Sequence, residues 1–253
     1  MLKPVFMLLC VVTLLLNTLQ SYAAEVDLYF VRHGETRFNK SGRVQGWADS
    51  PLTPDGVRTA KALGQGLKST PFIAVWTSDT GRARDTAQLI LQARDATPPL
   101  IESRALREVS YGQFEGQATR LMWDAAASTV GLASQAALMR AFTAGEKSIA
   151  DVVNALADAD TAHEAEHYPQ AAARLKQAVD EIARQAQRAG GGNVLIVSHG
   201  MAITVLLHEL GYSAQRKPLK NASVTRVHYD AAGHYNVEDV DNIRFVKRGQ
   251  VEQ

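Results

Sequence analysis

Two histidines, two arginines and one glutamate of the 253-residue chain draw attention by where they stand. Leu28-Tyr29-Phe30-Val31 is an apolar run that ends in Arg32-His33-Gly34, and Val194-Leu195-Ile196-Val197 is a second that ends in Ser198-His199-Gly200. An unbroken apolar run closed by glycine reads as a strand buried on both faces. If the two strands are parallel neighbours, both imidazoles emerge at the edge where open α/β sheets bind ligands. A single histidine in such a place is ordinarily a satisfied core residue. The repeat of the pattern, with Arg82 near the start of a helix, points instead to chemistry on an anion. Neutral imidazole is a competent nucleophile toward phosphorus. Phosphoryl transfer requires positioning and charge neutralisation around the equatorial oxygens, and the guanidinium fork supplies both. Helix N-termini after Gly34 and Gly200 would add N–H donors. A protonated His199 beside a phosphate dianion would add positive charge. Glu108, between Leu106 and Val109 in an irregular segment, is the candidate general acid, because a carboxyl against an apolar wall keeps its proton near neutral pH.

The elements that must hold these groups can be read in order. Glu35 to Asp49 is polar and glycine-punctuated, and reads as a loop over the strand end. Thr53 is the expected N-cap of a helix with Pro54 at its first position and Val57, Ala60, Leu63 and Leu67 on one side. Phe72 to Thr77 reads as a second buried strand, and Ser78-Asp79 as the cap of a helix over Thr80 to Gln92 that carries Arg82 and Arg84. Pro98-Pro99 opens an irregular stretch toward Glu108. From Glu115 to Glu166 the chain is rich in alanine with aliphatics at mixed helical spacings, which predicts an inserted helical cap over about 117–167. Gln170 to Arg188 is a helix with Leu175, Val179 and Ile182 in one stripe, ended by Gly190-Gly191-Gly192. A helix from Met201 to Leu210 follows the second histidine, and Ser223–Tyr229 with His234–Val240 forms a terminal hairpin. Strands alternating with helices predict an α/β fold: a three-layer α/β/α sandwich, its mainly parallel sheet covered by helices on both faces.

Residues 1–23 have the layout of a signal peptide: Lys3, an apolar core from Val5 to Leu16, and Ser21-Tyr22-Ala23 as a small-residue cleavage site. The competing reading is a membrane anchor, for which the run is short of the about 20 apolar residues a span needs. Leu9 stands before Cys10 where a lipoprotein signal needs a small residue. Cleavage removes Cys10, the only cysteine, so residues 24–253 are expected to form one exported, periplasmic or secreted domain without disulfides and without stable membrane association. With 27 Lys and Arg against 26 Asp and Glu, the composition argues against a general nucleic-acid binder.

The motifs resemble those of the histidine phosphatase (phosphoglycerate mutase-like) superfamily. Arg32-His33-Gly34-Glu35-Thr36 with Asn39, Arg43 and Gly46 is similar to its opening motif, and Pro51-Leu52-Thr53-x-x-Gly56 to the next block. Ser78-Asp79-x-x-Arg82-Ala83-x-x-Thr86-Ala87 is similar to its second arginine motif. Leu106-Arg107-Glu108-x-x-x-Gly112-x-x-Glu115-Gly116 and Val197-Ser198-His199-Gly200 complete the set in the family's order. The resemblance implies that His33 is the phosphorylated nucleophile, that Arg32, Arg82 and His199 form the phosphate pocket, and that Glu108 is proton donor and later base. Thr36, Asn39 and Arg43 fall at positions that border phosphate or substrate in the family, and the chemistry needs no metal or organic cofactor. Thr36 and Gly200 side with the mutase-like branch rather than with the acid phosphatase and phytase branch. Within it, the export signal and the unfamiliar cap favour a phosphatase of a small-molecule, glycan or lipid phosphomonoester over a phosphoglycerate mutase. All five core residues are present, which argues against an inactive phosphate-binding module.

A different class is suggested by His163-Glu164-Ala165-Glu166-His167, which fits the zinc-peptidase pattern H-E-x-x-H. Two histidines four apart on a helix could ligate zinc, with Glu164 as base. Tyr168-Pro169 follows directly, however, so His167 is expected to end a segment rather than lie within a helix. Arg216, Lys217 and Lys220 read as a solvated turn or the pocket rim, and Asn221-Ala222-Ser223 as a strand start rather than a glycosylation site.

Overall fold

The computed structural model describes residues 24–94, 98–214 and 216–251; the segment read as a leader, residues 1–23, lies outside them. Strands β1 (Val26–Arg32), β2 (Phe72–Ser78), β3 (Leu100–Ser103), β4 (Gly192–Ser198), β5 (Val224–Tyr229) and β6 (Tyr235–Asn242) form one sheet in the order β3-β2-β4-β1-β5-β6. The first four are parallel, β5 is antiparallel to β1, and β6 returns beside it as the expected hairpin. The two histidine strands are thus direct neighbours, in a register that pairs Arg32 with Ser198.

The helices are α1 (Arg37–Ser41), α2 (Pro54–Gly66), α3 (Gly81–Ala93), α4 (Thr119–Thr129), α5 (Gln135–Ala144), α6 (Ile149–Asp158), α7 (Tyr168–Arg188), α8 (Gly200–Glu209) and α9 (Arg244–Val251). Side-chain alternation along β1 sorts them into layers. Val26, Leu28 and Phe30 join Val179 and Ile182 of α7 and Leu206 of α8. Tyr29 and Val31 join Leu63 of α2, Ala87 of α3 and Phe245 of α9 on the opposite face. With both faces covered, Leu28 to Val31 of β1 and Val194 to Val197 of β4 are apolar at every position, and the sheet is the middle of a three-layer α/β/α sandwich. Helices α2 and α9 cross at glycines: a Cβ on Gly66 would run into the Phe245 carbonyl, and one on Gly249 into that of Ala62.

Helices α4 to α6 occupy the stretch expected to be a cap. Ser134 caps α5, and Ser148 with Asp151 forms a capping box on α6. Met122, Leu138, Phe142, Val152 and Leu156 pack together and onto Ala171 and Leu175 of α7 and Val205 of α8. The insertion is therefore continuous with the core on one face of the sheet. Among the described residues, no helix is long and apolar enough to cross a membrane.

Four local details differ from the sequence reading. The loop over the strand end contains α1, whose N-cap Thr36 and N3 residue Asn39 bond reciprocally. An edge strand, β3, lies in the stretch read as irregular. Helix α3 is entered through Thr80 rather than capped by Ser78-Asp79, because the Asp79 carboxylate is held bidentately by Arg107 at 2.6 and 2.7 Å. Finally, the chain returns in α9 to close the α2 face.

Candidate active site

His33 and His199 each follow the last residue of a parallel strand, so both imidazoles stand at the same edge of the sheet. The His33 amide donates to the Ser198 carbonyl at 3.0 Å, extending the ladder one step past the strands. The two rings lie 5.2 Å apart between centroids at 62°. His33 is 3% exposed and His199 is fully buried. Burial, with Arg82 and then Arg32 adding like charge, holds His33 well below the usual histidine range. His33 is therefore a neutral imidazole. Its Nδ1 meets the Gly34 carbonyl at 2.8 Å, which assigns the proton to Nδ1 and leaves the Nε2 lone pair as the nucleophile. Burial lowers His199 in the same way, reinforced by Arg82, His33 and Arg32.

The turn that carries His33 is tightly constrained. The Gly34 amide donates to Thr86 Oγ1 at 3.0 Å, whose hydroxyl donates to the Arg82 carbonyl at 2.7 Å. Strand β1 and the first turn of α3 are thereby fixed to each other. A Cβ on Gly34 would come within 2.9 Å of the Gly56 carbonyl, so α2 closes this turn from the other side. Asn221, just before β5, donates its amide to the His33 carbonyl at 3.0 Å and to Asn39 Oδ1 at 3.2 Å.

Arg82 is fully buried, and its Nη atoms are anchored on one loop. Nη1 donates to the Ala48 carbonyl and Asp49 Oδ1, both at 2.9 Å, and Nη2 to the Gly46 carbonyl at 2.7 Å. That loop is itself held by Glu115. Its carboxylate accepts the amides of Gly46, Trp47, Ala48 and Tyr111 at 2.8 to 3.0 Å. Arg32 Nη1 donates to the Leu219 carbonyl. Among the described residues, the buried nitrogens without a partner include Arg32 Nε, Arg82 Nε and both ring nitrogens of His199. Buried donors left unmatched are costly. Grouped beside a nucleophile, they define a seat for an anion.

Glu108 lies across the N-terminus of α8. Its Oε1 accepts the amides of Val109 at 3.0 Å and Ala202 at 2.6 Å, and its Oε2 that of Met201 at 2.9 Å. Burial pushes the carboxyl up, and outweighs these three amides and Arg82, which pull it down. Oε2, with one amide instead of two, has the freer lone pair to hold an acidic proton. Arg174 of α7 fixes the segment behind it. Its Nη1 donates to the carbonyls of Ala105 at 2.9 Å and Arg107 at 3.0 Å, its Nη2 to that of Glu108 at 3.2 Å, and the same guanidinium pairs with Glu166.

Arg32, Glu108 and Gly200 line a cavity of about 360 Å³ that extends beneath the cap. Asn39 and Arg43 line it as well, Arg43 being held by the Gly116 carbonyl at 2.9 Å. Thr36 does not. It is fully buried, its hydroxyl donating to Gln45 Oε1 at 2.6 Å and accepting from the Asn39 amide at 3.1 Å. Its side chain caps α1. Lys217 lies on the cavity wall, as the rim reading allowed.

The zinc-peptidase pattern is overturned by backbone geometry. His163 is in a left-handed turn with φ 56°, and His167 precedes α7, its Nε2 3.0 Å from Asp158 Oδ1. The intervening turn wraps Asp160, whose carboxylate accepts the amides of Ala162, Glu164 and Ala165. The two imidazoles share no helix face, so the spacing that makes H-E-x-x-H a metal site is not realised. Glu166 is instead the partner of Arg174.

Sequence reasoning did not single out Thr86, Glu115, Arg174 or Asn221 as positioning residues. Thr86 and Glu115 stand inside motif blocks, which was their only signal. Arg174 falls on the Ala171–Leu175 side of α7, where a charge facing the core calls for a partner.

Comparison with known proteins converges on one family. The model for the histidine phosphatase superfamily (branch 1) matches residues 28–159 and 137–242. The crystal structure of a phosphoglycerate mutase from Bacillus anthracis superposes with a TM-score of 0.86 at 38% identity, over 91% of this chain and 99% of that one. A probable phosphoglycerate mutase, GpmB, of Proteus mirabilis is 31% identical over 210 residues, 81% of this chain and 85% of its own. A mycobacterial glucosyl-3-phosphoglycerate phosphatase shares the fold, with a TM-score of 0.66 at 23% identity over 86% of this chain and 99% of that one. Matched across most of the described residues, the chain belongs to the histidine phosphatase superfamily, branch 1.

Proposed function

We propose that the chain is a phosphatase that hydrolyses a phosphomonoester through a phosphohistidine at His33. His33 Nε2 attacks phosphorus as the bond to the ester oxygen breaks, and Glu108 gives its Oε2 proton to that oxygen. Arg32 and Arg82 neutralise the equatorial oxygens, and His199, neutral like His33, donates a ring N–H to them. Glu108, now a carboxylate, takes a proton from water as water attacks the phosphohistidine. Phosphate leaves, His33 returns to its neutral form, and the proton count closes without a cofactor. The observation that supports this reading most is the set of buried, unpartnered nitrogens of Arg32, Arg82 and His199 beside a neutral His33. Asn39 and Arg43 border the ester's organic part.

The second reading is a phosphoglycerate mutase, favoured by the names of the Bacillus anthracis and Proteus mirabilis relatives. A mutase must hold a carboxylate and a second phosphate alongside the first. The apolar side of the cavity formed by the cap supports hydrolysis instead. The signal-like pattern of residues 1–23 supports export to the periplasm or beyond, where a glycolytic mutase has little use. The test is a metal-free comparison of the purified chain on a phosphomonoester panel and on 3-phosphoglycerate with 2,3-bisphosphoglycerate. Release of inorganic phosphate from esters is expected. Isomerisation of phosphoglycerate with little phosphate released would refute it.

A further inference from the structure

Resting on the phosphatase reading, we infer that the organic part of the substrate is apolar: the ester is the phosphate of an alkyl, acyl-chain or aromatic alcohol rather than of a sugar or hydroxy acid. The part of the cavity wall contributed by α4 to α6 consists of Met122, Trp123, Met139, Phe142, Ile149 and Val152, joined by Thr119 and Gln135. Its ionisable lining groups among the described residues are Arg32, Glu108, Tyr111, Arg43 and Lys217. Arg32 and Glu108 serve the phosphoryl centre. Arg43 is bonded to the Gly116 carbonyl and lies 5.9 Å from the Phe38 ring. Burial and the nearby Glu108 push the Tyr111 phenol well above its usual range, so it adds no charge.

A sugar or glycerate against the cap wall would give up its water for a surface that is mostly methionine, aliphatic and aromatic carbon, on which only Thr119, Gln135 and the Trp123 indole could return hydrogen bonds. An apolar group gains there by leaving water. Methionine adapts to varied shapes, so the wall selects for apolarity more than for one outline. At about 360 Å³, the space is at the lower end of small-molecule sites, about 300–1,000 Å³. It accommodates one ring or one chain segment beyond the phosphate.

The test uses the full chain and primary n-alkyl phosphates from ethyl to decyl, below their micellar concentrations. The leaving oxygens in this series are nearly identical, so kcat/KM reads how the chain is bound. It is expected to rise about threefold to fourfold per methylene until the cavity is filled, then level off. Glycerol 3-phosphate is expected to fall at least about tenfold below propyl phosphate, from which it differs by two hydroxyls. Trp123→Ala and Met139→Gln should each flatten the rise. A flat or falling series, with polar esters turned over equally well, overturns the inference and leaves the phosphatase reading standing. A rise that both variants leave unaltered also overturns it, since the chain would then lie elsewhere. Hydrolysis of no ester in either group removes the phosphatase reading and this inference with it.

Discussion

In the hydrolysis proposed above, Glu108 releases a proton to the ester oxygen and then takes one from water, and its surroundings pull in both directions. Burial favours the protonated acid, whereas the amides of Val109, Met201 and Ala202 favour the carboxylate. Because burial wins, the acid form reaches higher pH than an ordinary glutamate allows. For an alkyl ester, whose oxygen needs the proton, kcat/KM should fall as pH rises through the titration of Glu108. Glu108→Gln should remove that alkaline limb. It should lower kcat/KM for alkyl esters by about 10²–10⁴-fold, the usual contribution of a general acid, and for 4-nitrophenyl phosphate far less. Equal losses on both esters, or a limb that persists in the variant, would argue against the acid role. Arg32, His33 and His199 were legible at the ends of apolar runs and Arg82 at a helix start, whereas Glu108, in an irregular segment, was singled out mainly by the family motif it stands in. Glu115 and Asn221 were not, because they hold backbone groups whose location only the folded chain defines.

At the scale of elements, the close crossing of α2 and α9 carries its own prediction. Alanine at position 249 should favour the helix by about 1 kcal/mol on propensity alone. Its Cβ would nevertheless meet the Ala62 carbonyl, and overpacking against backbone costs about 1–3 kcal/mol. Gly249→Ala is therefore expected to lower the urea midpoint, and a midpoint unchanged or raised would show that the crossing is loose. Central strands β1 and β4 were readable because both faces are buried and the apolar run is continuous. Helix α1 was not, since five residues without a buried side chain have no apolar period to detect; only the Thr36–Asn39 capping pair signals it. Strand β3 is four residues at the sheet edge with two of them polar, too short for an alternation to be recognised. The cap was legible as an alanine-rich helical insertion, but its three helix boundaries depend on Ser134, Ser148 and tertiary packing.

Across the whole molecule, the parallel register of β1 and β4 sets two imidazoles side by side, α3 brings Arg82 to them, and the Glu115-held loop fixes its guanidinium. The cap then encloses the remaining side of the site with apolar surface continuous with the core. The repeated strand–histidine–glycine pattern pointed to the first of these relations and the Arg82 motif to the second, whereas the cap's inner surface exists only once its helices are packed. The central claim is that His33 carries the phosphoryl group between ester and water, and it is tested most directly by trapping that intermediate. Rapid acid-free quenching of the full chain with ³²P-labelled ester, in the presence of a chelator, should yield acid-labile, base-stable phosphate on the peptide containing His33, and none in His33→Ala. Label on another residue, or undiminished turnover by His33→Ala, would contradict the account.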